Sequence, residues 1–440
     1  MRVRINPDAA DRPKKRRVCM FVYNNFKYDS RVLKEAKTLA EVGYDVRVIG
    51  VLDKTTEPYE VQDGFRVIRV LKNPLHYMLL RVIRVILLAV CRILNILSRF
   101  AIILIHKPSE DRSTTPKYKR LMKKLKQAFY SKVKGFLMIF HKPLSFLDYY
   151  YRALRVIEKE PADIYHAHDL NTLPAAYWAK KKMGGKLIYD SHELYTERNT
   201  LKNQSKLTKF LISKTESFLV KSADHVITVS DSIGQELRKR YLIKRLTVII
   251  NTPSYGVSKH VLSLHEELRI PEVNKIILYV GNIAFNRGLE ELIQSLLYLE
   301  NCALVIMGYS SNHAYITKLR LLTRDLGVGD KVYFFGPVPS EKVTEYVASA
   351  DVGAAPIKNV CLSYYYCSPN KLFEYIAGGI PAVVSNFPEL KKTIEGYKLG
   401  MTFNPDDPKD MAEAINYVLS DKDRYEEMKR NALKAARVFN

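Results

Sequence analysis

The chain has 440 residues and a formal net charge of +24, enough length for two or three domains with cores of their own. Its five cysteines (19, 91, 302, 361 and 367) are scattered, odd in number and free of any C-x-x-C pair, which argues for a reducing compartment and against a zinc site. The excess charge is local: from Arg81 to Lys142, fifteen Lys and Arg face only Glu110 and Asp111, a net +13 and over half the total.

Met1 to Arg17 is polar and basic with no apolar stretch, so it is not a secretory signal. Lys14-Lys15-Arg16-Arg17 imitates a nuclear address, but 1–16 reads as a disordered lead-in. Strand-like apolar runs follow at Val18–Tyr23, Val46–Val51 and Phe65–Val70, then at Asp163–Ala167, Leu187–Tyr189 and His225–Val229. A second series holds Ile276–Val280, Ala303–Met307, Val332–Phe335, Val352–Pro356, Pro381–Ser385 and Met401–Phe403. Continuous apolar strands separated by helix-length stretches mean parallel sheets covered on both faces. The expectation is α/β, with two doubly wound Rossmann-like domains at 17–251 and 275–440, joined by a polar link at 252–274. Ligands of such sheets lie outside the carboxyl ends of the strands, so a substrate cleft is expected between the domains.

The basic block, 75–145, is an insertion in the first domain. On a helix, Arg81, Arg84, Arg92, Asn95 and Arg99 fall within an arc of roughly 80°. The intervening residues are mostly aliphatic, yet no charge-free run approaches the ~20 residues needed to cross a bilayer. Lys117 to Phe140 repeats the design, with Leu121, Leu125, Phe129, Val133 and Phe136-Leu137 on one face. Such helices suit an anionic membrane surface through 76–142; packing as core or against a partner protein is the plainer alternative. A nucleic-acid role, suggested by charge alone, fits poorly because the block carries aliphatic runs in place of stacking aromatics. Tyr149-Tyr150-Tyr151 reads as an anchor at the domain surface or membrane interface.

Two segments carry chemistry. Ser368-Pro369-Asn370-Lys371-Leu372-Phe373-Glu374 predicts a turn and a helix start, with Pro369 pre-setting the first helical turn. The free N–H groups of that turn make an anion site. Glu374, one turn later, suits a polyol such as ribose, and Gly378-Gly379 ends the helix. On spacing alone, an ordinary surface helix with a solvated Glu remains equally open. Upstream, Leu278 to Ile293 reads as a strand, a glycine turn at Gly281-Asn282 and a helix start, with Arg287 placed to clamp a diphosphate. No carboxylate pair of the hydrolase kind stands out.

Together these segments resemble family 4 of the GT-B, retaining, nucleotide-sugar-dependent glycosyltransferases. The likeness runs from about Arg17 to Asp421, interrupted by the basic insertion. Further markers are Asp29-Ser30-Arg31 through Ala36, Gly43-Tyr44-Asp45-Val46, His166-Ala167-His168-Asp169, Tyr189-Asp190-Ser191-His192-Glu193, Ala223-Asp224-His225-Val226, Phe335-Gly336-Pro337-Val338 and Ala350-Asp351-Val352.

The resemblance implies roles at matching positions. Glu374 corresponds to the second glutamate of the family's E-x7-E pair, on the ribose. Backbone N–H groups around Lys371 and Leu372 would face the diphosphate, with Pro369 and Asn370 beside them in the binding site and Arg287 on the same phosphates. Gly336, Val338 and Ser340 would line the base, near Gly308 and Tyr309. His192 would reach the transferred sugar, with catalysis assigned to His192, Arg287 and Glu374. The 24–31 loop, with Asn24, Asn25 and Arg31, and His168 would face donor phosphate and acceptor. Of His166, His168 and His192, one or two are expected simply to cap strand ends, His192 being the one favoured as a site residue.

Two positions depart from the family pattern: Tyr366 stands at the first glutamate and Asn282 at an arginine. A tyrosine hydroxyl cannot accept like a carboxylate, and the phosphate clamp has one cation fewer. Tyr364-Tyr365-Tyr366 reads equally as packing or as an acceptor-side lip. The chain reaches Asn440 without the family's final crossing helix, so a truncated or compact end is expected. The implied activity is hexose transfer from a nucleoside-diphosphate sugar to a lipid-linked or other glycan, with retention, at the cytoplasmic membrane surface. No metal or other cofactor is implied. The alternative is a catalytically degenerate scaffold of a glycan-assembly pathway, which Tyr366 and Asn282 favour.

Overall fold

The computed structural model describes residues 15–27, 29–105, 117–201, 204–253 and 262–439. Most of the expected lead-in and residues 254–261 of the expected link lie outside them, as do the side chains of Asn95, Arg99, Leu121 and Leu125. The chain divides into two compact units, 1–188 and 189–440.

In the first unit, β1 (Arg17–Phe21), β2 (Asp45–Leu52), β3 (Tyr59–Gln62), β4 (Phe65–Leu71) and β5 (Ile164–His168) take the order β3-β4-β2-β1-β5, followed by β6 (Lys186–Ser191), which ends just past the boundary. β1 pairs in parallel with both β2 and β5, setting Val18 opposite Val46 and Ile164. Its last four residues are all buried, as a central strand covered on both faces requires. β3 is the exception in direction, pairing antiparallel with β4. Asp63 and Gly64 between them both take positive φ, 46° and 81°, the backbone of a two-residue hairpin turn.

The helix Ser30–Glu41 begins under Asp29, whose side chain accepts from the Val32 N–H at 3.3 Å, as N-cap residues do. The basic block forms two helices, Leu75–Ile105 and Lys117–Ile139. Among the described residues no helix is long and apolar enough to cross a membrane. A third helix, His141–Lys159, returns to the sheet and buries Tyr149, Ala153 and Ile157. Tyr149 is therefore core, its hydroxyl donating to the Ile49 carbonyl at 3.0 Å. Tyr150 donates to Asn171 at 3.0 Å, and only Tyr151 of the three is exposed.

In the second unit β7 (His225–Thr228) and β8 (Leu246–Val248) form a parallel pair. The strands β9 (Lys275–Val280), β10 (Cys302–Met307), β11 (Val332–Phe335), β12 (Val352–Ala355), β13 (Ala382–Ser385) and β14 (Gly400–Phe403) form a sheet in the order β11-β10-β9-β12-β13-β14. Every pairing in it is parallel. Along β9, Ile276, Leu278 and Val280 enter one apolar cluster while Ile277 and Tyr279 enter the other. That alternation makes both faces of the sheet core, and it leaves the strand ends as the place for polar chemistry.

Candidate functional site

The site of the second unit is built where β9, β10 and β11 stop. Gly281 N–H donates to Met307 at 3.0 Å, and Gly308 N–H to Phe335 at 3.1 Å. A Cβ at Gly308 would lie 1.8 Å from the Gly281 carbonyl oxygen, and its φ is +155°, so the two turns interlock only because residue 308 is glycine. Gly281, Asn282, Gly308, Tyr309 and Gly336 thus sit together beyond adjacent strands. Asn282, Tyr309, Gly336 and Ser340 are exposed and Val338 is half-buried. The Tyr279 hydroxyl steadies the turn by donating to the Asn282 carbonyl at 2.8 Å.

Arg287 follows, half-buried, with its guanidinium carbon 4.7 Å from the centre of the Tyr364 ring. The helix Asn370–Ala377 faces the same region. Pro369 is its N-cap, with φ −77° and ψ 138°, one position earlier than the sequence suggests. The extended ψ sets the entry angle, and a missing N–H costs nothing there either. Asn370 is exposed and accepts from the Asn251 amide at 3.1 Å. Leu372 is buried and Glu374 half-buried.

Lys371 is more than nine-tenths buried. Among the described residues its Nζ has no hydrogen-bond acceptor, and it sits 3.4 Å from the centre of the Tyr279 ring. Burial pushes its ammonium well below the usual lysine range, and the nearby Arg287 charge pushes the same way, against the opposing pull of Glu374 and Cys367. Among the described residues neither Arg287 nor Lys371 forms a salt bridge. Both rest on aromatic faces, the arrangement of cation–π contacts.

The three tyrosines divide their work. Tyr364 underlies Arg287, while Tyr365 packs on Phe387 with ring centres 5.2 Å apart. Tyr366 is half-buried, stacks obliquely on Tyr365, and its carbonyl accepts from the Ser230 hydroxyl at 2.9 Å. His192 is half-buried just past β6, its Nε2 3.2 Å from Oδ2 of the fully buried Asp190. Such a carboxylate fixes the ring's orientation. Ser191 beside it is fastened by a 2.9 Å bond from the Thr228 hydroxyl to its carbonyl.

The first unit gathers the remaining candidates at the end of β1. Asn24 donates to Asp29 at 2.8 Å and accepts from the Phe26 N–H at 2.8 Å. Asn25 donates to Asp53 at 2.7 Å and accepts from the Lys27 N–H at 3.1 Å. Hydrogen bonds from the Thr55 backbone and from Asn25 hold the Asp53 carboxyl down to about 2. Arg69, buried, braces the loop by donating to the Asn25 carbonyl at 2.7 Å. Both asparagines therefore shape the loop.

Arg31 is buried with its Nε 3.2 Å from Glu35. His166 and His168 are buried too, 3.8 Å and 4.0 Å from the same carboxylate. Glu35 and these histidines are side-chain types that hold metals, but the Arg31 guanidinium already supplies positive charge there. Glu35 lies within the Asp29–Ala36 marker, but the sequence reading gives it no role of its own. Tyr279 escapes it, and Tyr364 reads there only as packing or an acceptor-side lip, since a tyrosine in an apolar strand or a tyrosine run carries no mark of a cation seat.

Residues 262–435 match the family model described as Glycosyl transferases group 1, and residues 114–252 the model described as Glycosyltransferase Family 4. An uncharacterized glycosyltransferase of Methanocaldococcus jannaschii is 29% identical over 220 residues, covering 48% of this chain and 54% of its own. A D-inositol 3-phosphate glycosyltransferase of Corynebacterium jeikeium is 26% identical over 223 residues, 47% of this chain and 52% of its own. The chain spans about half the length of these curated relatives. A sucrose-phosphate synthase of Thermosynechococcus elongatus shares the fold, with a TM-score of 0.70 over 97% of this chain and 95% of its own at 16% identity.

Proposed function

We propose that this chain, which belongs to the GT-B glycosyltransferases of family 4, transfers a hexose from a nucleoside-diphosphate sugar to a glycan or lipid-linked acceptor with retention. The observation that carries the reading is that Arg287, unpaired by any carboxylate among the described residues, lies near enough to act on the Lys371 ammonium at the start of Asn370–Ala377. A guanidinium and a row of helix-terminal N–H groups together suit a diphosphate. Glu374, one turn along, is the acceptor for ribose hydroxyls.

Charge grows on the diphosphate as the bond from the anomeric carbon to the phosphate oxygen breaks. Arg287 and the backbone amides offset that charge. The acceptor hydroxyl then forms the new glycosidic bond on the same face, and its proton passes to the leaving phosphate oxygen, so no protein base is required. His192, oriented by Asp190, is the contact to the transferred sugar. No step is assigned to a metal.

A thermal-shift panel of UDP- and GDP-sugars tests the reading, since a ligand that binds only the native state raises its midpoint. One nucleotide series should raise it and the other should not. Arg287→Ala should fold normally and lose turnover. Wild-type turnover in that variant would sink the role given to Arg287, and no response to any nucleotide sugar would favour the degenerate-scaffold alternative.

We infer further that the inserted helices rest on an anionic membrane surface, with the enzyme on its cytoplasmic side. Val82, Val85, Ile86, Val90 and Ile93 are exposed on Leu75–Ile105, as are Arg81, Arg84 and Arg92. Phe129, Phe136 and Ile139 are exposed on Lys117–Ile139. Apolar area rimmed by cations is what an interfacial helix offers to acidic lipid. The protein should sediment with vesicles containing phosphatidylglycerol and stay in solution with neutral ones. Equal partition to both kinds would remove the electrostatic part of this inference.

A further inference from the structure

We propose that the side chain of Lys371 is a second cation of the donor diphosphate site, seated against the Tyr279 ring in the empty protein and paired with phosphate oxygens in the loaded one. The inference rests on the donor-site reading above and concerns a side chain, whereas that reading uses only the backbone of this helix turn.

Three observations carry it. First, an ammonium more than nine-tenths buried with no acceptor for its Nζ is a costly choice at a position where leucine or methionine would pack. Second, its head group is aimed at the phosphate turn. A Cβ built on Gly281 would lie 3.7 Å from Lys371 Cε and 3.8 Å from Nζ. The same glycine is held to β10 by its N–H, so the target is fixed. Third, the turn from 281 to 288 supplies only one cation, Arg287, because Asn282 is neutral. A diphosphate at this turn would meet Arg287 and, beside Gly281, the Lys371 head group.

The charged and titratable groups around Nζ define how it responds. Arg287 from the turn opposes its protonation, while Glu374 and Cys367 from its own segment favour it. Tyr279 from β9 offers a ring face. Burial outweighs these and holds the group below its unfolded value of 10.5. In the pH range below that value the unfolded chain binds the proton more readily than the empty folded protein, so Lys371 costs stability at neutral pH. A bound diphosphate reverses the balance. Its charge stabilises the ammonium, so binding raises the proton affinity of Nζ.

Titration calorimetry on the full chain tests this with UDP and GDP against the matching monophosphates, in two buffers of different ionisation enthalpy at each of several pH values below 10.5. Wild type should take up a proton on binding the diphosphate of its preferred base. Lys371→Met should lose that uptake and bind the diphosphate roughly 10- to 100-fold more weakly, the loss of one charge-assisted contact. Monophosphate affinity should change far less. The empty variant should unfold at an equal or higher temperature, which a purely structural lysine would not allow. Lys371→Gln, similar in reach but uncharged, should behave the same way. Unchanged diphosphate affinity and proton uptake in both variants would overturn the role of Lys371. Wild type that binds neither nucleoside diphosphate would overturn the donor-site reading itself.

Discussion

Basic side chains are handled in opposite ways at two places in this molecule. In the sheet of the first unit every buried guanidinium is matched by protein. Arg47, almost wholly buried, lies 3.1 Å from Glu160. Arg66 pairs with Asp45 and Glu160 at 2.9 and 3.0 Å, and Arg69 with Glu60 at 2.9 Å. At the end of β9, Arg287 and Lys371 rest on the rings of Tyr364 and Tyr279. A ring face holds a cation in place without neutralising it. Cations paired inside the protein serve the fold, and cations left on rings are held in reserve for an anion from outside.

The sharpest way to break this contrast is at Arg287. Its replacement by alanine removes a charge aimed at the leaving group, and losses of about 10²–10³-fold in turnover are typical for such donors. Because no carboxylate among the described residues pairs with it, the thermal midpoint should stay near that of wild type. A large fall in stability with turnover preserved would place Arg287 with the structural arginines.

Arg47→Met is the mirror experiment. Removing one partner of a buried pair usually costs about 3–5 kcal/mol. Here Glu160 is partly exposed and keeps Arg66, so a loss of about 2–3 kcal/mol is expected from urea unfolding. Nucleotide affinity should not move. If Arg47→Met weakens nucleotide binding while stability holds, the division between structural and reserved cations fails.

Much of this arrangement is legible in the sequence, for identifiable reasons. The central strands announce themselves because a parallel sheet buries them on both faces, giving runs such as Ile276–Val280 with no polar interruption. The edge strand β3 does not. Tyr59–Gln62 alternates exposed and half-buried residues over too few positions to register, although Asp63-Gly64 is the turn pair that could have revealed it. β8, at three residues, is shorter than any reliable pattern. Helix Asn370–Ala377 and Glu374 were readable from local spacing and turn chemistry. The burial of Lys371 was not, because a lysine near a helix start reads as solvated. Its burial comes from Tyr279, almost a hundred residues upstream, which no local window contains.

The smallest expected effect tests the ring seats themselves. Tyr364→Leu keeps apolar bulk beneath Arg287 but removes the quadrupole that attracts the guanidinium. At a half-exposed site such a contact is worth about 0.5–1 kcal/mol. The ring's service is to orientation, since the charge that meets the diphosphate belongs to Arg287. The variant should therefore raise KM for the nucleotide sugar by a few-fold, with kcat changed less, and leave the thermal midpoint within a degree or two. Tyr364→Phe, which keeps the ring and drops only the hydroxyl, should restore the wild-type KM. Equal defects in both variants would mean that the hydroxyl contacts substrate and that Tyr364 belongs to the acceptor side after all. Should neither variant differ from wild type, Arg287 would need no seat, and the contrast with Arg47 would rest on charge pairing alone.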